Sequence, residues 1–344
     1  MDKDLVATKL DIEHIVADIL SSIERERERE IIARRYGLYD RKETLEQIGE
    51  LLNITRERVR QLEKAVMARL KAMADKDLPK IKEFENAVIE HISQLGHVAR
   101  VSDVATKLTG SNNKIDQSRV SFLAELSPGL SVIDDNDHFF HAIGVRLEHD
   151  EKKIREGVGS IVETIKKLNK PVTSETIKDA IGVADQARVD ALASISKQLA
   201  SLNDQWGLVK WPLVNPKNIR DKIYVILRDN GKPMHFSEIA GAIRGSAFKR
   251  KDVTTQAIHN ELIKDKRFVL IGRGIYALNE WGYNKGTVAD IITEVLKEAK
   301  EPLHRDEIVK RVLKHRQVKE TTILLNLQGK KEFKRVAKAT YDLA

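Results

Sequence analysis

The stretch Thr55-Arg56-Glu57-Arg58-Val59-Arg60-Gln61-Leu62-Glu63-Lys64 holds the side chains best suited to chemistry on a partner. At helical period Val59, Leu62, Val66 and Leu70 fall on one side. That leaves Thr55, Arg56, Glu57, Arg58, Arg60, Gln61 and Lys64 to face outward as candidate DNA-binding residues. Their types match the donor and acceptor pattern of base edges in the major groove. Arginine can bridge guanine O6 and N7, glutamate can accept from cytosine N4, and glutamine can pair with adenine. Residues 54–71 carry six basic groups against two acidic ones, a balance suited to a polyanion. Any one of these residues would fit an ordinary solvated helix; the set fits that poorly.

The elements that must position this segment are legible upstream. Residues 11–33 read as one helix, with Ile12, Ile15, Val16, Ile19, Leu20 and Ile23 in helical spacing. The alternating run Glu24 to Glu30 reads as its exposed charged face. Gly37 stands where a helix C-cap belongs. Thr44-Leu45-Glu46-Gln47 has capping-box form and opens a second helix with Leu45, Ile48, Leu51 and Leu52 inward. Asn53 ends it after two turns, and Thr55 caps a third helix from Arg56 to about Met73. Two short helices around a tight Asn53-Ile54 turn make a helix-turn-helix, whose second helix enters the major groove.

The whole chain sets limits on this picture. Its 344 residues are 41% hydrophobic but only 5% aromatic, which favours several small helical units over one large core. The absence of cysteine excludes disulfides, thiolate metal sites and cysteine nucleophiles. Residues 1–10 carry charges and no apolar run of signal-peptide length, and no stretch approaches the roughly 18 apolar residues of a membrane span. The expected location is the cytoplasm, with no membrane partner. The net charge of +8 is uneven: Lys+Arg equal Asp+Glu at 17 each in residues 1–80, stand at 16 against 19 in 81–213, and reach 27 against 16 in 214–344. Such a basic end raises affinity for phosphate backbones.

Four motifs in order give the N-terminal part a family likeness. Glu26-Arg27-Glu28-Arg29-Glu30, Arg34-Arg35-Tyr36-Gly37-Leu38, Thr44 to Gly49 and Thr55 to Glu63 together resemble region 4 of sigma-70-family factors over about residues 20–73. The resemblance implies recognition of a promoter −35 element, with Arg56, Glu57, Arg60 and Gln61 at base- or backbone-contacting positions. It also implies docking on RNA polymerase core through the first helices, where Ile31, Ile32 and Leu38 are the polymerase-binding candidates; core packing is an equal alternative for those three. Residues 1–20 are too few for the upstream domain with which sigma factors open DNA. The expectation is a duplex reader that does not melt promoters unaided.

From Pro79 onward the sequence repeats. Lys232-Pro233-Met234-His235-Phe236-Ser237-Glu238-Ile239 aligns with Glu301-Pro302-Leu303-His304-Arg305-Asp306-Glu307-Ile308, and Phe268, Tyr276 and Leu278 align with Phe333, Tyr341 and Leu343. A weaker copy runs from Asn169-Lys170-Pro171 to a closing Trp206–Trp211. Another covers residues 82–143, closing with Leu130 to Ile133 and Phe139-Phe140. Helix, short strand, two helices and a hairpin is the winged-helix order. The expected fold is mainly α: a helix-turn-helix domain (1–78) followed by tandem winged-helix α+β domains at 80–145, 148–213, 217–283 and 286–344. The unit at 217–283 resembles the HARE-HTH domain shared by the bacterial RNA polymerase delta subunit and some chromatin and restriction-system proteins. Gly231 to Phe236, Val253-Thr254-Thr255, Asn260-Glu261-Leu262 and Arg267 to Leu278 carry that likeness, without the delta subunit's acidic tail. Lys249, Arg250 and Lys251 precede this unit's third helix, where phosphate contacts are expected.

Catalytic chemistry is thin. Asp134, Asp135, Asp137, His138 and His141 could be drawn as a metal site, but they lie in an expected wing turn where Asp and Asn serve the backbone. Gly272-Arg273-Gly274 lacks the Gly-Lys-Ser/Thr of a phosphate loop and reads as a hairpin turn. His235 and His304 recur at one repeat position, as structural or capping residues would. No nucleophile–base–orienter set is present, so no enzyme, metal, cofactor or small-molecule substrate is expected. The sequence therefore favours a DNA-binding transcription factor associated with RNA polymerase. Its rivals are a polymerase- or protein-docking adaptor in which DNA binding is secondary, and the DNA-recognition subunit of a restriction-type system.

Overall fold

The computed structural model describes residues 10–344 apart from Asp75, Asp77, Lys249, Lys251, Asn284, Lys285 and Gln317. The described residues are mainly helical, with four small antiparallel sheets. They divide into two compact units, Met1–Lys210 and Trp211–Ala344.

The first unit opens with α1 (Ile12–Ser21), α2 (Glu26–Tyr36), α3 (Leu45–Leu52) and α4 (Arg56–Ala74). The single helix expected over 11–33 is broken at Ser22. Its N–H turns back to Asp18 and Ile19 carbonyls, and its hydroxyl bonds the Ile19 carbonyl at 2.6 Å. Beyond the break, α2 turns Ile31 into a small core with Ile48 and Val59, while Ile32 packs back into the core that holds Ile12, Ile15, Val16 and Ile19. The alternating charges form the expected exposed face only in part, over Glu24 to Arg27. Glu28 is buried and held by Arg25 at 3.4 Å and by Arg69 of α4. Arg27 donates to the Leu52 carbonyl, and Arg34 pairs with both Glu30 and Glu43 at 2.9 Å.

Two similar sets of elements complete this unit. The first is α5 (Ile81–Ser93), β1 (Val98–Arg100), α6 (Val101–Thr109), α7 (Lys114–Leu126), β2 (Leu130–Ile133) and β3 (Ala142–Val145). The second is α8 (Glu151–Leu168), β4 (Val172–Thr173), α9 (Ser174–Ile181), α10 (Gln186–Ser194), β5 (Leu199–Leu202) and β6 (Gln205–Leu208). In each sheet the last strand is central, pairing antiparallel with both others. The second hairpin strand of the first set lies at 142–145, not at Phe139-Phe140. Those two residues leave the hairpin to reach the next set, Phe139 bridging Ser196 and the Phe140 N–H donating to the Ile195 carbonyl at 2.9 Å.

One continuous core runs from α1 and α2 through α7 to β3. Phe84 and Phe122 are fully buried in it, and the Phe122 ring meets Tyr36 edge-on at 5.0 Å. Arg119 closes the seam: it is almost wholly buried and donates to the Leu38 carbonyl at 2.8 Å and to Glu13 at 3.0 Å.

The second unit contains α11 (Ile219–Asn230), β7 (Met234–His235), α12 (Phe236–Gly245), α13 (Thr255–Lys264), β8 (Phe268–Gly272) and β9 (Ile275–Leu278). It then repeats the order with α14 (Val288–Ala299), β10 (Leu303–His304), α15 (Arg305–His315), α16 (Glu320–Gly329), β11 (Phe333–Ala337) and β12 (Thr340–Leu343). His235 and His304 are N-caps, accepting from the Ser237 and Asp306 N–H groups respectively. Gly274 turns the β8–β9 hairpin at φ +72, and a Cβ there would lie 2.5 Å from His235 Nε2. Glycine meets both demands without strain, whereas the corresponding turn of the last hairpin holds Ala339 at φ 55.

Candidate nucleic-acid interface

Three local devices set the angle at which α4 leaves the protein. The Thr44 hydroxyl accepts from the Gln47 N–H at 3.2 Å while the Gln47 carboxamide accepts from the Thr44 N–H at 2.9 Å, a complete capping box. Asn53 ends α3 in the left-handed region at φ 52, a conformation that asparagine tolerates better than most residues. Thr55 then accepts from the Arg58 N–H at 3.2 Å, satisfying a free donor at the start of α4. Below the turn, Ile31, Ile48 and Val59 are fully buried, with Leu45, Leu52, Ile54 and Leu62 packed around them.

With Val59 pinned inward, Thr55, Arg56, Glu57, Arg58, Arg60, Gln61 and Lys64 are all exposed. Glu57 organises this surface. It accepts from Nη2 and Nε of Arg60, at 2.7 and 2.8 Å, and from the Gln61 amide at 3.4 Å. The Arg60 hydrogen bonds hold the Glu57 carboxyl below the usual carboxylate range, and Glu57 in turn raises Arg60 above its ordinary value. Arg58 reaches the other end of Gln61 at 3.4 Å. One side of the guanidinium is thus engaged within the free protein, and bridging guanine O6 and N7 through that side requires exchanging one acceptor for another. Both side chains are more than half exposed, so water screens the pair and the exchange is cheap.

Other sequence candidates lie elsewhere. Lys249 and Lys251 fall outside the described residues. Arg250 is exposed at φ 54, and its carbonyl accepts from Lys222 Nζ at 2.6 Å. Ile31, Ile32 and Leu38 have no exposed surface at all, which corrects the expectation that they form a docking face. Ile31 fills the helix-turn-helix core, and the other two belong to the larger core shared with α7. Around Phe139 the acidic and histidine side chains are spread among different partners. Asp135 pairs with Lys197 at 2.7 Å, His138 meets Gln198 at 3.2 Å, and His141 meets Ser121 at 2.9 Å. Among the described residues no group of three such side chains is placed to hold a metal ion.

Gly49 was not singled out in the sequence, although it decides the turn. A Cβ there would stand 2.7 Å from the Ile54 carbonyl oxygen, a backbone atom with no freedom to swing away. Alanine would gain roughly 1 kcal/mol of helix propensity, against an overpacking cost of about 1–3 kcal/mol and a displaced α4. Gly49→Ala is therefore expected to lower the unfolding temperature and weaken duplex binding together. A rise in Tm with unchanged binding would contradict the contact.

Comparison with known proteins bears on this same segment. Residues 25–72 match the family model for sigma-70, region 4. RNA polymerase sigma factor RpoD of Helicobacter pylori is 41% identical over 80 residues, covering 21% of this chain and 12% of that protein. Sigma factor SigA1 of Synechococcus elongatus is 52% identical over 46 residues, 13% of this chain and 12% of the relative. SigA of Microcystis aeruginosa is 45% identical over 62 residues, 18% and 14% respectively. The matched part thus spans about an eighth of the length of these relatives. Within it the chain carries a region-4-type helix-turn-helix, and a DNA-binding role of the −35-recognition kind is what that likeness supports. No described helix is long and apolar enough to cross a membrane.

Proposed function

We propose that this protein is a non-enzymatic transcription factor whose helix α4 reads a −35-type promoter element in the major groove. In this proposal it also associates with RNA polymerase. The four helix–strand–helix–helix–hairpin sets act as tandem winged helices, the one at 217–283 as a HARE-HTH domain, and the basic C-terminal hairpins grip flanking phosphates. The observation that carries the proposal is the exposure of all seven polar residues at the start of α4 while Val59 and Ile48 anchor them from below. The positive end of the helix dipole adds to their attraction for phosphate.

The test is duplex binding by Arg60→Ala, on a −35-type hexamer and on a scrambled one. Loss of a bidentate guanine contact is expected to cost about 1–3 kcal/mol and to narrow the preference between the two sequences. Unchanged affinity and preference would remove α4 from the DNA. A second proposal, a docking adaptor, draws on the core that α1 and α2 share with α7. That core makes the helix-turn-helix one part of a larger body. Polymerase capture from nuclease-treated extract by a chain with α4 disabled separates the two.

A further inference from the structure

Internal repetition supplies its own control on which side chains folding requires. Along the groove between α13 and β8, Ile263 is 66% and Leu270 44% open to solvent, above a floor of Phe268 and Tyr276. The groove holds about 350 Å³. The last set repeats this framework. Ile258 and Leu262 correspond to Ile323 and Leu327, and Phe268 and Tyr276 to Phe333 and Tyr341, all of them buried. At the two rim positions, however, the last set carries Gln328 and Arg335, both exposed. The fold therefore has no need of isoleucine and leucine there. Two apolar side chains on one groove are left in water, where covering them would be favourable.

The first set shows what such a groove can hold. There the Leu130 N–H closes on the Ser127 carbonyl at 3.2 Å, as the Phe268 N–H does on the Asp265 carbonyl at 3.1 Å. That register puts Glu125 of α7 where Ile263 stands, and Val132 of β2 where Leu270 stands. A helix lies against this rim. Lys71 of α4 pairs with Glu125 at 3.0 Å, and Met67, Leu70 and Ala74 share one core with Phe122 and Leu123. Val132 is half-buried against the same core. In the 217–283 set the corresponding rim is more apolar and stays open. Charge then selects the occupant. Lys264 and Lys266 are exposed beside Ile263, and Asp265 between them is held by Arg267 at 2.8 Å. Among the described residues no ion pair engages either lysine. A phosphate backbone would satisfy the lysines but leave the two apolar side chains wet; an apolar stripe edged with carboxylates satisfies both.

We infer that the groove between α13 and β8 docks an amphipathic helix of a partner protein, acidic along its polar edge. The apolar stripe of that helix covers Ile263 and Leu270, and its carboxylates meet Lys264 and Lys266. The inference goes beyond promoter reading and does not depend on α4 binding DNA.

The experiment pans a displayed library of helical peptides, each about 15 residues or four turns long, on the full chain. The counter-target combines Ile263→Gln with Leu270→Arg. Both new residues already stand at these positions in the last set, so the fold accepts them. Retained peptides should carry apolar residues at i, i+3 or i+4 and i+7, with net negative charge. The tightest of them, labelled and followed by fluorescence anisotropy, should lose at least about tenfold in affinity for each substitution, as when one aliphatic side chain goes uncovered. Lys264→Glu combined with Lys266→Glu should weaken the same peptide, and exchanging the peptide's glutamates for lysines should restore binding to that variant. Peptides that bind the counter-target equally overturn the inference, as do peptides that are basic or lack helical spacing, or the retention of none. So does sedimentation in which the unaltered chain self-associates and the counter-target does not, because a second copy then fills the groove. Duplex binding by the counter-target should match that of the unaltered protein; a loss there assigns these residues to DNA and overturns the inference as well.

Discussion

Replacing Phe122 by alanine should destabilise the first unit by about 3–5 kcal/mol, the range for truncating a large buried aromatic. Phe122 has no exposed surface, and its ring lies edge-on to Tyr36 of α2 across the seam between the helix-turn-helix and the set that follows. Because α1, α2 and α7 share one core, the cavity would loosen the support of α4 although Phe122 lies about 50 residues beyond its end in the chain. Urea unfolding followed by far-ultraviolet dichroism, with duplex binding measured across the same range, tests this. Binding and structure should be lost in one transition at lower urea. A loss below about 1 kcal/mol, or full binding after the dichroism of this unit has gone, would show that the helix-turn-helix stands alone.

Acid should also weaken the first unit, through His149. Its ring is fully buried, Nε2 lies 3.2 Å from the Gly96 carbonyl, and Nδ1 is a buried atom with no partner. Burial, with Arg188 as the next contributor, pushes its pKa down to about 4 from an ordinary 6.5. The folded state therefore favours the neutral ring. Its contribution is complete above about pH 6.5 and is lost as pH falls through 6.5 towards 4, when the unfolded chain takes up the proton more readily. The full effect is about 3 kcal/mol at 1.36 kcal/mol per pH unit. His149→Gln keeps a donor for the Gly96 carbonyl but cannot be protonated. Stability against pH, compared between the two proteins, should show a shallower acid slope for the variant; parallel curves would rule His149 out. Carboxylates titrate in the same range, which is why the difference and not either curve is diagnostic.

The helix-turn-helix was open to sequence reasoning because its determinants are local. Thr44, Gln47, Asn53 and Thr55 act on backbone groups within three residues of themselves, and the spacing of Ile48, Val59 and Leu62 sets which side turns inward. The short strand, two helices and hairpin of the last three sets were legible for the same reason, through the turns led by Pro171, Pro233 and Pro302 and the closing apolar residues. What misled was local pattern without its distant partner. The run from Glu24 to Glu30 has the alternation of a solvated face, yet Arg69 of α4 holds Glu28 in a buried position. Phe139-Phe140 looks like a hairpin strand until Ser196 and Ile195, more than fifty residues away, claim it.

The chain's order of residues alone determined that α4 would present arginine, glutamate and glutamine outward, since a helix of period 3.6 with four apolar positions on one side leaves no other arrangement. Only the tertiary structure decided where Ile31, Ile32 and Leu38 go. A hydrophobic residue next to a turn can serve a core or a partner equally well; for Ile32 and Leu38 the difference is made by α7, whose Arg119 and Phe122 arrive from outside the segment, and for Ile31 by Ile48 and Val59. It also decided that Arg60 begins in the grip of Glu57, because side-chain pairing on an exposed helix depends on rotamers that spacing permits but does not select.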